Sequence, residues 1–257
     1  MLNKRGIVLV ASIMLIVFVS IAVLGITVFI TQRLTYADAQ RTSAENIYSA
    51  QAGIQKALYD YRFRDLSGEG YISLGQTNID AGNYFVIGAT SANLLMTNIS
   101  GTFIQNNKKF LENFLLRNAT NSQTITIDRI IVTWNVGTVR ITDIRLNNGF
   151  VWSGNLTSPA TCDISNFTLA SNQTIYSNNQ IRFNGDVSTA TISVRFIMTD
   201  GSTRDVNMFP ASNNNNFIVN ATGKRTASGM FQTARAEYNP LTGRVLDYEE
   251  TDTQFTP

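Results

Sequence analysis

The sequence predicts an α+β protein: one long N-terminal helix, then an all-β head built of antiparallel sheet and a β-sandwich. Three observations carry this. Residues 7–30 form an unbroken run of twenty-four uncharged, mostly apolar residues. No proline occurs before Pro159, so nothing forces a break in the helical pattern that follows the run. From Gly82 onward, short stretches alternate between apolar and polar residues, the period of a strand with one buried face.

The helix comes first. An apolar run of about 20 residues spans a bilayer, whereas a secretory h-region is only about 7–15 residues long. Lys4 and Arg5 precede the run, which keeps the N-terminus cytoplasmic and sends the rest outward. Ala37-Asp38-Ala39 has the A-x-A form of a signal-peptidase site, but the helical pattern runs straight through it. The segment is therefore read as an anchor. After it, Ala44, Ile47, Ile54, Ala57, Leu58 and Tyr61 recur at helical spacing, with Arg41, Glu45, Gln55, Lys56 and Asp60 on the other faces. That narrow, Ala-rich stripe suits a helix packed on one side by a small domain. Residues 7–62 as one helix extend roughly 84 Å at 1.5 Å per residue, against about 30 Å of bilayer core. About half the helix is expected to extend beyond the membrane. Gly25 and Gly53 are its only glycines after residue 6, and Gly25 is the expected weak point.

The strands follow. "NYFVIG", "TITIDRIIVTW", "VRITDIRL", "ATISVRFIM", "NFIVNA", "ARAEY" and "RVLDY" read as strands. Asn147-Asn148-Gly149, Asn184-Gly185, Asp200-Gly201 and Asn239-Pro240 punctuate them as turns. Strands at this spacing suggest a sandwich or small antiparallel sheets. Trp134 and Trp152 fit large core anchors. "NNKKFLENFLLRNAT" fits strand or short helix, "ASNNNN" at 211–216 is a polar linker, and 251–257 reads as an acidic tail.

Composition excludes several classes of function. There are 20 basic and 18 acidic residues and no basic stripe, so no nucleic-acid partner is expected. With no histidine, histidine triads, metal sites and pH switches are ruled out. Cys162 is alone, which leaves no intrachain disulfide and no zinc cluster. Glu249, Glu250 and Asp252 match no calcium loop and read as part of a solvated tail. No catalytic constellation, metal site or cofactor motif is found. Six sites fit Asn-x-Ser/Thr, at Asn98, Asn118, Asn155, Asn166, Asn172 and Asn220. With 27 Asn and 48 Ser plus Thr, chance alone gives about five, so the motifs permit N-glycosylation without arguing for it.

A basic pair, a glycine, a long apolar helix, an amphipathic extension and a β domain together resemble the type IV pilin and pseudopilin superfamily. "AENIYSAQAGIQKALYDYR" resembles the second half of the helix in PilX-like and general-secretion K-type minor pilins. The Ala-Glu-Ala-Gly-like stretch of those subunits is matched by Ala50-Gln51-Ala52-Gly53, with Gln51 in place of Glu. The resemblance implies that a prepilin peptidase cuts after Gly6, leaving Ile7 as the new N-terminus. Residues 1–6 would then be the leader, with Lys4 and Arg5 as its charges. One departure stands out: the glutamate that major pilins carry five residues into the mature chain is Ala11 here. "ITIDRIIVTW", "ITDIRLNNGFVWSG" and "ISVRFIMTDGST" are similar to immunoglobulin-like strand repeats of bacterial surface proteins. The expected organisation is a helix at 7–62, a pilin-type sheet from 63–93 and 211–250, and an immunoglobulin-like sandwich inserted at 94–210.

By this reading the protein is a subunit of an extracellular pilus-like filament or pseudopilus. The inner membrane holds it first; copies of itself or other pilins then surround the helix. Ala11, Val17, Gly25, Ile47, Gly53, Ile54, Leu58 and Tyr61 are the expected helix-packing positions. The alternative is a monomeric, single-pass membrane-anchored adhesin whose leader is never cut.

Overall fold

The computed structural model describes residues 4–63, 71–105, 107–211, 216–226, 229–239 and 242–252. The elements run in the order α1 (Lys4–Phe63), β1 (Gly75–Asn78), β2 (Asn83–Gly88), α2 (Ser91–Leu94), β3 (Leu95–Asn98), β4 (Phe103–Ile104), β5 (Phe110–Glu112) and β6 (Leu115–Asn118). There follow β7 (Ile125–Trp134), β8 (Ile141–Leu146), β9 (Gly149–Leu156), β10 (Ala160–Leu169), β11 (Thr174–Ile175) and β12 (Gln180–Phe183). The last are β13 (Ile192–Met198), β14 (Thr203–Phe209), β15 (Phe217–Arg225), β16 (Phe231–Asn239) and β17 (Arg244–Thr251). The fold is thus one long N-terminal helix and a body of antiparallel sheets.

The chain forms two compact units, residues 1–45 and 46–257. The described residues of the first are helix alone. Its helix passes through Gly25 without interruption, so the expected weak point does not break it. One glycine costs only about 1 kcal/mol in a helix interior, too little to undo so long a helix.

The second unit holds the rest of α1 and four sheets. The first sheet has the order β1-β2-β15-β16-β17. β2 pairs with β15 from Gly88↔Asn220 to Asn83↔Arg225, so segments on either side of a long insertion meet in one sheet. Within that insertion, a small sheet β11-β6-β3 stands beside two larger ones, β10-β7-β13-β14 and β4-β5-β12-β8-β9. Each larger sheet buries one face, as the alternation in β7 shows: Ile125, Ile127, Ile130, Val132 and Trp134 are all buried. The Trp134 ring meets Phe183 of the other sheet edge-on, with centroids 5.2 Å apart. The two sheets therefore share a core.

Three details bear on the expectations above. The 94–210 segment lies in the same compact unit as the strands that flank it, and its described strands form three sheets. Its strand order departs from the ABED/CFG immunoglobulin arrangement: after β12 the chain crosses over, and the final hairpin β13–β14 joins the sheet of β7 instead. At the C-terminus, Glu249 and Glu250 belong to strand β17 rather than to a loose tail, since that strand continues the ladder on β16. Residues 253–257 lie outside the described residues. "NNKKFLENFLLRNAT" resolves as strands β5 and β6.

Cys162 is completely buried on β10. Burial pushes its thiol up from the ordinary 9.0 to about 12. That lowers its thiolate fraction about a thousandfold near neutrality. The native protein should resist alkylation by iodoacetamide and react fully once unfolded; rapid native labelling would contradict the burial. The linkage sign follows from the raised value. The unfolded chain ionises first, so this contribution to stability is intact below about 9 and lost as pH climbs towards about 12.

Candidate assembly surface

Two features of α1 define the candidate surface: an apolar segment with no cover, and a second half clamped to a sheet. In the first, every described residue from 9 to 34 is exposed. Leu9, Ile13, Met14, Leu15, Ile16 and Phe18 are each more than half exposed. This helix is long and apolar enough to cross a membrane, with mean hydropathy 3.0 over its most apolar stretch. Four hydroxyls along the helix bond back to its own backbone. Ser20, Thr27 and Thr31 each donate a hydroxyl proton to the carbonyl four residues back at 2.8 Å, and Thr35 does so at 2.9 Å. No hydroxyl in this set needs water, as an apolar environment demands. Arg33 closes the segment with its guanidinium over the Phe29 ring.

The expected packing positions divide accordingly. Ala11, Val17 and Gly25 are exposed in the first unit. Lys4, Arg5, Gly6 and Ile7 lie in the first turns of the helix, with side chains outside the described residues.

In the second unit, α1 lies against β2, β15 and β16. Asn46, Ser49, Ala50, Ile54, Ala57 and Tyr61 are buried, whereas Ile47 and Leu58 are only half-buried; Ala44, in the first unit, is exposed. Ile54, Ala57 and Tyr61 of the expected stripe are thus buried, and small and polar residues make up the rest of the face. Small residues win because the backbones approach so closely. A Cβ on Gly53 would stand 2.7 Å from the Ala221 Cβ and 3.0 Å from the Phe85 ring. A Cβ on Gly223 would stand 1.9 Å from the Asn46 carbonyl oxygen. Sequence reading passed over Gly223, although an isolated glycine inside a strand pattern marks close backbone approach.

Aromatic packing and hydrogen bonds lock the clamp. The Tyr61 ring sits 4.7 Å from Phe217 and 6.1 Å from Tyr238 between centroids. Asn46 donates its amide to the Met230 carbonyl at 3.0 Å. Gln51 donates to Glu250 on β17 at 2.8 Å, and so does the Tyr248 hydroxyl. Partial burial and then the Glu250 carboxylate push the Tyr248 phenol up to about 12, so it holds its proton throughout the physiological range. On the helix itself, Lys56 and the buried Asp60 pair at 2.6 Å.

Trp134 belongs to the buried core, and Trp152 packs against it part-exposed. Trp134 is buried and donates its indole proton to the Val136 and Val139 carbonyls. Trp152 is half-buried and lies over Gly154, where an added Cβ would come within 2.4 Å of its ring. The six Asn-x-Ser/Thr sites separate by accessibility. Asn118 and Asn220 are buried, Asn98 is half-buried, and Asn155, Asn166 and Asn172 are exposed. Among the described residues no group of three or more His, Cys, Asp or Glu is placed to hold a metal ion.

No family model matches this chain. No curated protein matches it either. Among solved structures, one described as "Crystal structure of protein from Archaeoglobus fulgidus" is 9% identical and covers 70% of this chain and 94% of its own. Its TM-score of 0.12 is too low to inform the fold or the function.

Proposed function

We propose that this chain is a pilin-like subunit, held in the inner membrane by its N-terminal helix and then packed through that same helix into an extracellular filament or pseudopilus. One observation carries the reading: the apolar part of α1 is wholly uncovered, yet it is continuous with a segment clamped to a sheet. Leaving such a surface in water at ~25 cal/mol per Å² would cost more than a typical domain's whole stability of about 5–15 kcal/mol. The segment therefore needs lipid or copies of itself. The other pilins and the prepilin peptidase are partners under this proposal, and the β head supplies contact or adhesion. Its mechanism is polymerisation and binding, with no catalytic step.

The competing reading, an uncut monomeric anchor for a surface adhesin, draws on Ala11. A carboxylate there would have paired with a neighbour's N-terminal amine, and alanine offers no such register device.

Processing provides the first test. Mass spectrometry of the assembled protein should find Ile7 at the N-terminus, and Gly6→Val should leave only uncut precursor. An intact Met1 on assembled protein would overturn the pilin reading and favour the anchor.

A further inference from the structure

Open sheet edges are hazardous in a protein that exposes them, because unpaired N–H and C=O groups invite another strand. Among the described residues, eight strands lie at sheet edges. Four of them, β1, β3, β4 and β11, have only two to four residues. The four long edges are β9, β10, β14 and β17. Charge, the usual guard, is distributed unevenly among them. β17 carries Arg244, Asp247, Glu249 and Glu250, and β14 carries Arg204 and Asp205. β10 has Asp163 alone, and β9, with the sequence GFVWSGNL, has no charge and no proline. β9 also exposes Phe150 and Leu156. By the ordinary rules it is the strand most prone to edge-to-edge association.

The fold places two Asn-x-Ser/Thr sites on these two poorly guarded edges. Asn155 lies on β9 and Asn166 on β10, in the bulge where the register slips between Asp163 and Phe167. Both asparagines are exposed, as are Thr157 and Thr168 of their motifs. β9 and β10 also contact one another, so the two edges adjoin. Of the other four sites, Asn118 and Asn220 are buried, and Asn98 and Asn172 lie off these two edges with their side-chain oxygens already bonded. The Asn118 amide nitrogen is spent on the Gln123, Leu169 and Ala170 carbonyls, and the residue is fully buried. Asn220 is 5% exposed. The Asn98 carbonyl oxygen accepts from the Ser100 amide and hydroxyl. The Asn172 carbonyl oxygen accepts from Arg117 at 2.6 Å.

We propose that Asn155 and Asn166 carry N-linked glycans, and that these glycans cover the sparsely charged edges of β9 and β10. The donor would be a saccharide linked to a polyisoprenoid lipid through phosphate. The asparagine Nδ2 bonds to the anomeric carbon, the bond from that carbon to the lipid phosphate oxygen breaks, and the phosphate leaves with the electron pair. The amide proton passes to a base of the transferase. A bulky hydrated group at each site keeps a second strand from reaching the edge.

The proposal rests on the head facing outward, so the experiment reads both properties. The full chain is recovered from its own cells' membrane and polymer fractions, and intact cells are treated with protease in parallel. Glycopeptide mass spectrometry should find saccharide at Asn155 and Asn166 and none at Asn118 or Asn220. A head that is cleaved from outside but bare at both sites overturns the glycan assignment and leaves the orientation standing. A head protected from protease overturns the orientation itself. In the double variant Thr157→Ala, Thr168→Ala, both glycans should disappear and the self-associated fraction should rise several-fold in light scattering. Loss of both glycans with unchanged association overturns the covering role. Occupancy of the buried Asn118 overturns the sorting by the fold.

Discussion

If the chain assembles as proposed, Val17→Asp should leave it in the membrane and remove it from every polymer. Val17 is half exposed in the middle of a segment that no other part of the chain covers. In a bilayer, one carboxylate at the centre of a span costs ~3 kcal/mol by insertion scales, and snorkelling and local water relieve part of the strain. A run of twenty-four uncharged residues tolerates that cost, and most of the chain still inserts. In a filament core the same change is repeated in every subunit. Each brings an uncompensated charge into a crowded apolar bundle, where breaking polar satisfaction costs about 3–5 kcal/mol per site. Elongation should then fail at every addition. The measurement is subunit in the sheared extracellular fraction against subunit in the membrane fraction. The expected result is a membrane level within about twofold of the parent and no detectable sheared polymer. Filaments in normal yield from Val17→Asp would show that residue 17 is not in a packed core. A parent chain that never yields sheared polymer would leave the monomeric anchor as the better reading.

The division between what was legible and what was not follows the range of the interactions. The long helix was legible because its cause is local: an apolar run, no proline, and a continuing pattern of three and four. Strands such as β7 were legible because Ile125, Ile127, Ile130, Val132 and Trp134 mark the buried face of a pleat. The partners of those strands were not. Nothing in the local pattern says that β13 crosses to pair with β7, since strand order is a long-range property. The acidic residues of β17 misled for a related reason. Exposure on nearly every residue of an edge strand looks like a tail until the ladder with β16 is seen. On the helix, the pattern found the clamped region and the buried Ile54, Ala57 and Tyr61, but hydrophobicity also drew in Ile47 and Leu58, which are half-buried. Close approach to β15 selects Asn46, Ser49 and Ala50, which the apolar pattern does not mark.

Gly223→Ala should cost the clamped unit more stability than any single apolar truncation on its helix face. The reason is contact with backbone. The added methyl would lie 1.9 Å from the Asn46 carbonyl oxygen and 2.7 Å from the Ala50 amide nitrogen, neither of which can rotate away as a side chain would. Either the helix lifts from β15 or the strand bends. Both moves loosen Ala50, Ile54, Ala57 and Tyr61 together, since all four are buried on the same face. Overpacking a core commonly costs about 1–3 kcal/mol and sometimes more; a backbone clash shared by four packed residues belongs at or above the top of that range. Gly137→Ala supplies the control, because nothing lies within 4 Å of that position. Both variants are made in the full chain and kept in detergent, and unfolding is followed by near-ultraviolet circular dichroism, which reports the Tyr61–Phe217–Tyr238 cluster. Gly137→Ala should unfold within about 0.5 kcal/mol of the parent. Gly223→Ala should lose ~3 kcal/mol or more, with the near-ultraviolet signal weakened even before denaturant is added. If the two variants unfold together, the helix does not approach β15 as closely as described, and the clamp that ties the apolar segment to the head must be built some other way.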